Sequence, residues 1–447
     1  MFTLSTEDES QYYGQRRHHW QPARVIVSSD IADAEVTRRV MANCATSTVL
    51  TVPDVRGRTD RQILADALQL APSTSDTELT HLGRTSLLLT DSTELFQQMA
   101  VGPAMERRCF NFLKILPYTG VCPYDCSYCW FKDPVLIPRV NVRFFERLPT
   151  ALAQLRQQGR TPTLFTFTHY KTDCFTMEHL TGFCRVATEF FTREPGFGIQ
   201  FLTKSDQVES LLTPSIASPK AIVTFSVNPE WITKHVDLAT PPLSARLDAA
   251  RRLYHAGFNV MLRVDPILEF DGWPAAYDEM VESIFQHFEP THVTLGTPRF
   301  QDVAELTTVA TRIPSARARA FMEDQASRMA VTKPGAPTAD DSFQSYFKNM
   351  SVSYPDAVRV NLYRTVADAF RRHRPQLALG LCEEPAKIWD EVGIAWTGDK
   401  TRDCSCNFVP LAMRQLFTAD EADRVALQTA EARTQDARIV RNVNADA

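Results

Sequence analysis

Short apolar runs recur along the middle of the chain, separated by amphipathic stretches. An apolar run of roughly four to eight residues is typical of a buried strand, whereas apolar residues three or four positions apart are typical of a helix. The predicted strands are 111–117, 163–168, 199–204, 221–227, 258–265 and 291–296. The predicted helices between them are Phe144–Gln158, Met177–Phe191, Leu243–Ala256 and Ala276–His287. The alternation predicts an α/β protein with a parallel sheet, either open or barrel-like.

The pattern changes on both sides of this core. Towards the N-terminus, Arg24–Val27 is predicted as a strand and Asp60–Leu70 as a helix, so this region is a small α/β unit. Towards the C-terminus the predicted features are a linker at 331–341, a helix at Arg359–Arg372, a strand at Leu377–Leu381, a helix at Glu384–Val392 and a charged tail from Thr418. We therefore predict an N-terminal region at 1–108, a core at 109–300 and a C-terminal extension at 301–447.

Composition places the chain among folded proteins with an ordinary core. Of its 447 residues, 44% are hydrophobic and 23% are charged, and the net charge is −5. Such a charge gives no global basic field to attract nucleic acid. No apolar run approaches the roughly 20 residues of a membrane helix. The first residues, Met1–Glu9, are acidic and polar, unlike a secretory signal, so we expect a cytoplasmic protein whose ten cysteines are thiols or ligands.

Three cysteines lie close together after the first predicted core strand. Cys122, Cys126 and Cys129 have the spacing C-x3-C-x2-C. Thiolates are the ligands that iron–sulfur clusters prefer. Three of them in one loop can bind three irons of a [4Fe–4S] cube and leave the fourth iron open to a small molecule.

Three alternatives compete with a cluster at this loop. Zinc usually takes four ligands, often in C-x2-C pairs. Disulfide geometry fits so tight a loop poorly. Buried free thiols are the third alternative, but Pro123, Asp125 and Ser127 indicate a loop rather than a core segment. The spacing therefore favours the iron–sulfur cluster.

The cysteine motif resembles the signature of radical S-adenosylmethionine (SAM) enzymes, in which an aromatic residue, here Tyr128, usually precedes the last cysteine. Further motifs follow in order at 201–206, 224–229, 243–257, 265–273 and 295–300. Over roughly residues 20–300 the series resembles the spore photoproduct lyase group of that superfamily. The resemblance implies that the core is a partial (β/α)6 TIM-type barrel between the N-terminal α/β region and the C-terminal extension.

The resemblance also implies a set of cofactors and ligands. Cleavage of SAM to methionine and a 5′-deoxyadenosyl radical would take place at the [4Fe–4S] cluster, with an electron donor such as a flavodoxin or ferredoxin. The implied cluster ligands are Cys122, Cys126 and Cys129, and the implied SAM-facing residues are Tyr128, Lys204, Ser226 and Asn228. A lysine can pair with the SAM carboxylate, and serine and asparagine can form hydrogen bonds to the ribose or amino acid groups of SAM. The alternative is a solvated lysine and ordinary polar strand ends.

One position departs from the group. In its DNA-repair enzyme a cysteine after the second strand returns hydrogen to the product, and Tyr170 stands at that position here, with Cys174 four residues later. A phenol can also donate hydrogen or relay a proton. We predict Tyr170 and Asp173 as catalytic residues, and the departure disfavours photoproduct repair.

Two further groups of residues are candidates for binding. Cys382, Cys404 and Cys406 are predicted to bind a second iron–sulfur cluster or another thiophilic metal, the alternative being ordinary thiols. Polar residues after the second strand, namely His169, Tyr170, Lys171, Asp173 and Glu178, are predicted to bind substrate. Arg263 and Asp265 either join them or form a structural ion pair.

The leading hypothesis is a radical SAM enzyme of lyase, dehydratase or oxidoreductase type. Its predicted substrate is a polar small molecule of a biosynthetic pathway, for instance an aminosugar or nucleoside. A lyase acting on damaged DNA is the first alternative, although the net charge disfavours nucleic acid as a partner. A non-catalytic iron–sulfur protein is the second. No interaction with a membrane is expected.

Overall fold

The computed structural model of the protein describes most of the chain between His19 and Phe417. The described ranges are 19–44, 47–98, 113–129, 136–158, 164–167, 172–212, 215–300, 303, 306–307, 309, 313, 315–331, 352–395 and 408–417. These ranges form two large sheets, two small sheets and the helices that pack against them.

The strands are short and are numbered in chain order. They are β1 (Arg24–Ser28), β2 (Thr48–Val52), β3 (Ser86–Thr90), β4 (Phe96–Gln98), β5 (Leu113–Ile115), β6 (Tyr118–Thr119), β7 (Asp125–Cys126), β8 (Arg139–Asn141), β9 (Leu164–Phe167), β10 (Gly198–Thr203), β11 (Ala221–Ser226), β12 (Asp237–Leu238), β13 (Asn259–Val264), β14 (His292–Leu295), β15 (Arg299–Phe300), β16 (Ala330–Val331), β17 (Val352–Ser353) and β18 (Ala378–Leu381).

The α-helices are numbered in the same way. They are α1 (Glu35–Asn43), α2 (Asp60–Leu68), α3 (Asp76–Arg84), α4 (Phe144–Gln157), α5 (Glu178–Thr181), α6 (Phe183–Arg193), α7 (Glu209–Leu212), α8 (Glu230–His235), α9 (Leu243–His255), α10 (Trp273–His287), α11 (Ala316–Ser327), α12 (Asp356–His373) and α13 (Ala386–Val392). A 3-10 turn covers Ser29–Ile31. Within the described ranges, no helix is both long and apolar enough to cross a bilayer.

The larger sheet has the strand order β18-β14-β13-β11-β10-β9-β5-β4. Seven of these strands are parallel, and β4 pairs antiparallel with β5 at one edge. Because β5 to β14 lie side by side in chain order, the carboxyl ends of the predicted core strands meet at one edge of the sheet. The predicted α/β class and parallel sheet are therefore confirmed.

The curvature of this sheet is a separate question from its order. Among the described residues β4 and β18 are its two edges, and no ladder joins them. The described sheet is thus open, and the partial barrel stays a prediction.

The second large sheet lies on the N-terminal side and has the order β2-β1-β3-β8-β6. Strands β6 and β8 come from the predicted core region, and β4, from the predicted N-terminal region, joins the larger sheet. The C-terminal extension contributes β18 to the larger sheet in the same way. The division at 108 and 300 stays a prediction, since each predicted region shares a sheet with another.

Burial explains why the helices form where they do. In α9 the residues Leu243, Leu247, Ala250 and Leu253 are buried, which is the three- and four-residue spacing of one helix face. The hydroxyl of Thr59 accepts the Gln62 N–H and starts α2 with a capping box. The main core lies between the larger sheet and such apolar faces.

Two predicted helices need correction. The segment predicted as one helix at Met177–Phe191 is two helices, α5 and α6, because Gly182 between them has φ +69°. This left-handed conformation is open to glycine and ends the first helix. The helix predicted from Ala276 begins three residues earlier, at Trp273, with Pro274 in its first turn, where a missing N–H costs nothing.

Candidate active site

The three-cysteine loop lies between β6 and β8 and is held by a small antiparallel ladder. Strand β7 pairs with β12, with Cys126 opposite Asp237. The Ser127 N–H donates to the Val236 carbonyl at 2.8 Å, and the Cys129 N–H donates to the Cys126 carbonyl at 3.0 Å. The backbone of the loop is therefore fixed by a segment more than a hundred residues away in sequence.

A buried ion pair gives the loop a second anchor. The Asp125 Oδ1 lies 2.8 Å from Nη1 of Arg84, at the end of α3, and Asp125 is buried. The N-terminal region thus contacts the cysteine loop directly. This contact was not predicted from the sequence, because nothing local to Asp125 indicates a partner 41 residues earlier.

Two of the three thiols, Cys122 and Cys126, lie in surroundings that oppose their ionisation. Burial raises the pKa of Cys122 to about 12 and raises that of Cys126 well above its usual range, so metal binding must displace protons from both. The choice between an iron–sulfur cluster and a zinc ion stays a prediction that rests on the spacing of the three cysteines.

Asp173 ties the cysteine loop to the strand ends. Its carboxylate accepts the Phe175 N–H at 2.9 Å, the Thr203 hydroxyl at 2.8 Å and the Lys204 N–H at 2.5 Å. Its own N–H points at the Cys122 Sγ at 3.4 Å. Burial raises the pKa of Asp173 against these hydrogen bonds, which lower it. Both carboxylate oxygens of Asp173 accept hydrogen bonds from the protein, so these contacts indicate a residue that positions its neighbours.

Lys204 brings three of the predicted SAM-facing residues together. Its Nζ donates to the Ser226 Oγ at 2.7 Å and lies 5.4 Å from the centre of the Tyr128 ring. The lysine side chain is only 14% exposed. A solvated surface lysine, the alternative for this residue, does not fit this position.

Two residues of this site, Asp237 and Arg246, were missed by the sequence reasoning. The Asp237 Oδ2 lies 3.4 Å from the Lys204 Nζ and 3.0 Å from the Arg246 Nη1, and both acidic and guanidinium side chains are fully buried. Burial alone would raise the pKa of Asp237, but Lys204 and Arg246 outweigh it and hold that pKa below its usual value. We call Lys204, Asp237 and Arg246 the aspartate network.

A signal for Arg246 was present in the sequence. It lies on the buried face of α9, between Leu243 and Leu247. A charged residue inside an apolar helix face is out of pattern, and buried charges are paired. The pattern could have indicated a buried ion pair, although not its partner.

Asn228 follows β11 and is fully buried. Its Oδ1 accepts the Tyr277 hydroxyl at 3.5 Å, whereas its Nδ2 has no hydrogen-bond partner among the described residues. A buried amide donor without a partner is costly. An oxygen-bearing ligand at this strand end would satisfy it.

The second predicted thiol group is only partly described. Cys382 follows β18, and its Sγ accepts a hydrogen bond from the Arg263 Nη2 at 2.7 Å. Arg263 also donates to the Asp265 Oδ2 at 2.9 and 2.7 Å, which is the structural ion pair considered for these two residues. Cys404 and Cys406 lie outside the described residues, so a second cluster stays a prediction.

Of the predicted polar group after the second strand, the structure describes Asp173 and Glu178. Glu178 is buried and caps α6, accepting the N–H groups of Cys184 at 2.7 Å and Arg185 at 3.1 Å. Its prediction as a substrate-binding residue was wrong, because both oxygens serve a helix start. Cys174 is also buried, and its thiol donates to the Leu202 carbonyl at 3.1 Å. The other members, His169, Tyr170 and Lys171, lie outside the described residues.

Comparison with known proteins identifies the relatives of this arrangement. Residues 113–331 match the family model of spore photoproduct lyase. The chain resembles the spore photoproduct lyases. It is 29% identical over 177 residues to the spore photoproduct lyase of Geobacillus sp. (strain Y412MC61), which is 39% of this chain and 51% of that protein. It is 28% identical over 178 residues to that of Bacillus subtilis (strain 168), covering 38% of this chain and 50% of that protein.

The resemblance extends to solved structures. A mutant spore photoproduct lyase with dinucleoside spore photoproduct superimposes with a TM-score of 0.63 at 17% identity, over 81% of this chain and 98% of the other. A double mutant with bound SAM and the same photoproduct gives a TM-score of 0.62 at 18% identity, with the same coverage. These identities establish a similar fold. By sequence, the chain spans about half the length of the curated relatives it matches.

Proposed function

We propose that the protein is a radical SAM enzyme of the spore photoproduct lyase type, with a [4Fe–4S] cluster and SAM as cofactors. The observation that carries the proposal is the convergence of Lys204, Ser226 and Tyr128 beside the three-cysteine loop. These residues come from three separate segments and meet at the carboxyl edge of the parallel sheet, where such sheets bind ligands. A structural ion pair alone does not require that juxtaposition.

The cofactors would be held by the chain's own residues. Cys122, Cys126 and Cys129 would bind three irons of the cluster. Lys204 would receive the carboxylate of SAM, and the unpartnered Asn228 Nδ2 would donate to one of its oxygens. When bound, the cluster and SAM would supply a carbon-centred radical that removes hydrogen from the substrate. A flavodoxin or ferredoxin would supply the electron that reduces the cluster. Fixed polar groups cost no reorganisation when the ligand arrives.

The two predicted catalytic residues take different parts in this proposal. Asp173 would position Cys122 and the Lys204 backbone, since its carboxylate already accepts three hydrogen bonds. Tyr170 would act on the substrate, as a hydrogen or proton donor, from the position that holds a cysteine in the DNA-repair enzyme. The buried Cys174 is not a substitute donor, because its thiol is bonded to a backbone carbonyl in the core.

The comparisons favour a photoproduct as substrate over a biosynthetic small molecule. Both curated relatives are spore photoproduct lyases, and related structures contain dinucleoside spore photoproduct. The leading substrate hypothesis from the sequence, an aminosugar or nucleoside, receives no such support. We therefore propose a spore photoproduct lesion, in DNA or as the dinucleoside, as the substrate.

The test uses anaerobically reconstituted protein, a chemical reductant, SAM and dinucleoside spore photoproduct. We expect 5′-deoxyadenosine in the presence of SAM and loss of the photoproduct, both followed by liquid chromatography. Formation of 5′-deoxyadenosine without loss of photoproduct would retain the radical SAM class and reject this substrate. Detection of neither 5′-deoxyadenosine nor loss of the photoproduct under any condition would reject the enzymatic proposal.

A pair of cysteine variants checks the cluster ligands. Cys126→Ala should lower the iron content by about four per chain, since each [4Fe–4S] cube has four irons. Cys44→Ala is the matched control, because Cys44 is also buried but lies in the N-terminal region. Iron retained in Cys126→Ala, or lost equally in Cys44→Ala, would contradict the ligand assignment.

A further inference from the structure

Asp237 contacts both the cysteine loop and the proposed SAM-binding lysine. Its backbone pairs with Cys126 across the β7–β12 ladder. Its Oδ1 accepts the hydroxyl of Tyr128, and its Oδ2 lies 3.4 Å from the Lys204 Nζ. A shift of Asp237 would therefore displace the loop, the aromatic ring and the cation together.

Arg246 fixes Asp237 from the opposite side. Its Nη1 lies 3.0 Å from the Asp237 Oδ2 and donates to the Ser226 carbonyl, also at 3.0 Å. Its Nε donates to the Pro241 carbonyl at 3.0 Å, and its Nη2 donates to the Thr240 hydroxyl. The planar guanidinium thus has acceptors on all three nitrogens, a geometry that a lysine cannot reproduce.

The same contacts constrain Lys204. A lysine ammonium has three donors. Two of these donors are directed at Ser226 and Asp237, which lie at and near the end of β11. The two contacts restrict the rotation of the lysine side chain. One carboxylate is shared by two cations, so Asp237 does not neutralise both. An anionic group of a ligand is the partner that this arrangement accepts.

We propose that Asp237, fixed by Arg246, is a positioning residue that presets Lys204 and Tyr128 for the amino-acid end of SAM. This inference rests on the proposed function. Asp237 acts through its neighbours and need not touch SAM or the reacting atoms. Removing its charge should weaken SAM binding without removing the thiol ligands, because the β7–β12 ladder depends on backbone groups.

The test compares Asp237→Asn with wild-type protein after anaerobic reconstitution. SAM affinity is measured by calorimetry, and iron is counted chemically. We expect equal iron content in the two proteins. SAM binding should be at least about tenfold weaker in the variant, since one charged hydrogen bond is worth that much. The SAM-induced change in the electron paramagnetic resonance signal of the reduced cluster should require correspondingly more SAM.

Glu384→Gln is the matched control, because Glu384 is another fully buried carboxylate shared by two cations. It should leave SAM affinity unchanged. If Asp237→Asn does not fold, Arg246→Lys provides the same test, since it keeps the charge and loses the fork. We expect it to bind SAM several-fold more weakly with full iron content.

The outcomes separate this inference from the proposed function. Wild-type protein that binds neither iron nor SAM would reject both. Wild-type protein that binds them, with an iron-loaded Asp237→Asn variant of equal SAM affinity, would reject only the positioning role. Loss of iron in Asp237→Asn in step with SAM binding would also reject it, because Asp237 would then serve the loop alone.

Discussion

Two buried charge networks lie near the carboxyl edge of the larger sheet and share one plan. In the aspartate network, Asp237 is shared by Lys204 and Arg246. In the second, Glu384 is shared by Arg299 and Arg359, and we call these three residues the glutamate network. Each has one fully buried carboxylate between two cations. Their surroundings, and therefore their proposed roles, differ.

The glutamate network has additional protein partners. The Tyr363 hydroxyl donates to the Glu384 Oε1 at 2.7 Å, and Arg299 also pairs with Glu383 at 3.2 Å. It joins β15 to α12 and to the start of α13, so it attaches the C-terminal extension to the sheet. With Glu383 and Asp356 beside Glu384, the carboxylates balance the charges of the two arginines. The network therefore has no excess positive charge that would attract an anionic ligand.

The aspartate network differs in what lies beside it. Its lysine side chain lies next to the ring of Tyr128, in the cysteine loop. Burial of an ion pair therefore does not itself indicate function. The informative feature is a cation that lies beside candidate cofactor ligands, here Lys204 beside Tyr128 of the cysteine loop.

The largest expected effect is on stability, from Glu384→Gln. The variant leaves two buried guanidinium groups without their shared carboxylate, so the free energy of unfolding should fall by about 3–5 kcal/mol. Urea denaturation followed by circular dichroism measures this change. A loss below about 1 kcal/mol, the range of exposed pairs, would show that the network is not structural.

An exposed ion pair provides the control for that loss. Arg372 and Asp278 form a pair whose side chains are 58% and 51% exposed. Arg372→Gln should change the free energy of unfolding by less than about 1 kcal/mol, because water screens the pair.

The next effect is on binding, from Lys204→Met. Loss of a charge-assisted hydrogen bond costs about 1.5–3 kcal/mol, so SAM should bind roughly ten- to a hundredfold more weakly. Stability should change little, because Asp237 keeps Arg246 as its partner. Calorimetric titration of the iron-loaded proteins with SAM measures the affinity of the wild type and of the variant.

Lys220→Met is the matched control for this variant. Lys220 is 7% exposed, and its Nζ donates to the Glu194 carbonyl at 3.0 Å, away from the cysteine loop. Its removal should not change SAM affinity. Equal weakening in both variants would mean that Lys204 has no specific role in binding SAM.

The smallest expected effect comes from Tyr128→Phe. The variant keeps the ring beside Lys204 and removes only the hydroxyl that donates to Asp237, so the free energy of unfolding should fall by about 1.5 kcal/mol. Thermal unfolding detects this change. Tyr354→Phe, which removes a buried hydroxyl donating to the amide of Gln325, should cost less because its acceptor is neutral. A larger loss of stability in Tyr354→Phe than in Tyr128→Phe would contradict a charge-assisted hydrogen bond between Tyr128 and Asp237.

Much of the fold followed from local patterns. The six core strands were each placed within three residues of their observed ends, because every one is an apolar run buried on both faces. The helix predicted at Met177–Phe191 was wrong in its continuity, since apolar spacing continues across Gly182 while the backbone turns there. Periodicity reports which face is buried and is insensitive to a single left-handed residue.

The candidate site also contains features that follow from local sequence and features that do not. The spacing of Cys122, Cys126 and Cys129 is a local property, and by itself it determined the candidate cluster ligands. The partners of Asp237 could be decided only by the tertiary structure: Tyr128 lies 109 residues before it and Lys204 33 residues before it. The sequence around a charged residue does not specify which residue of opposite charge will be its partner. That choice depends on the strand order that brings β7, β10, β11 and β12 together, because an ion pair forms only where the backbone places both charges within a few ångströms.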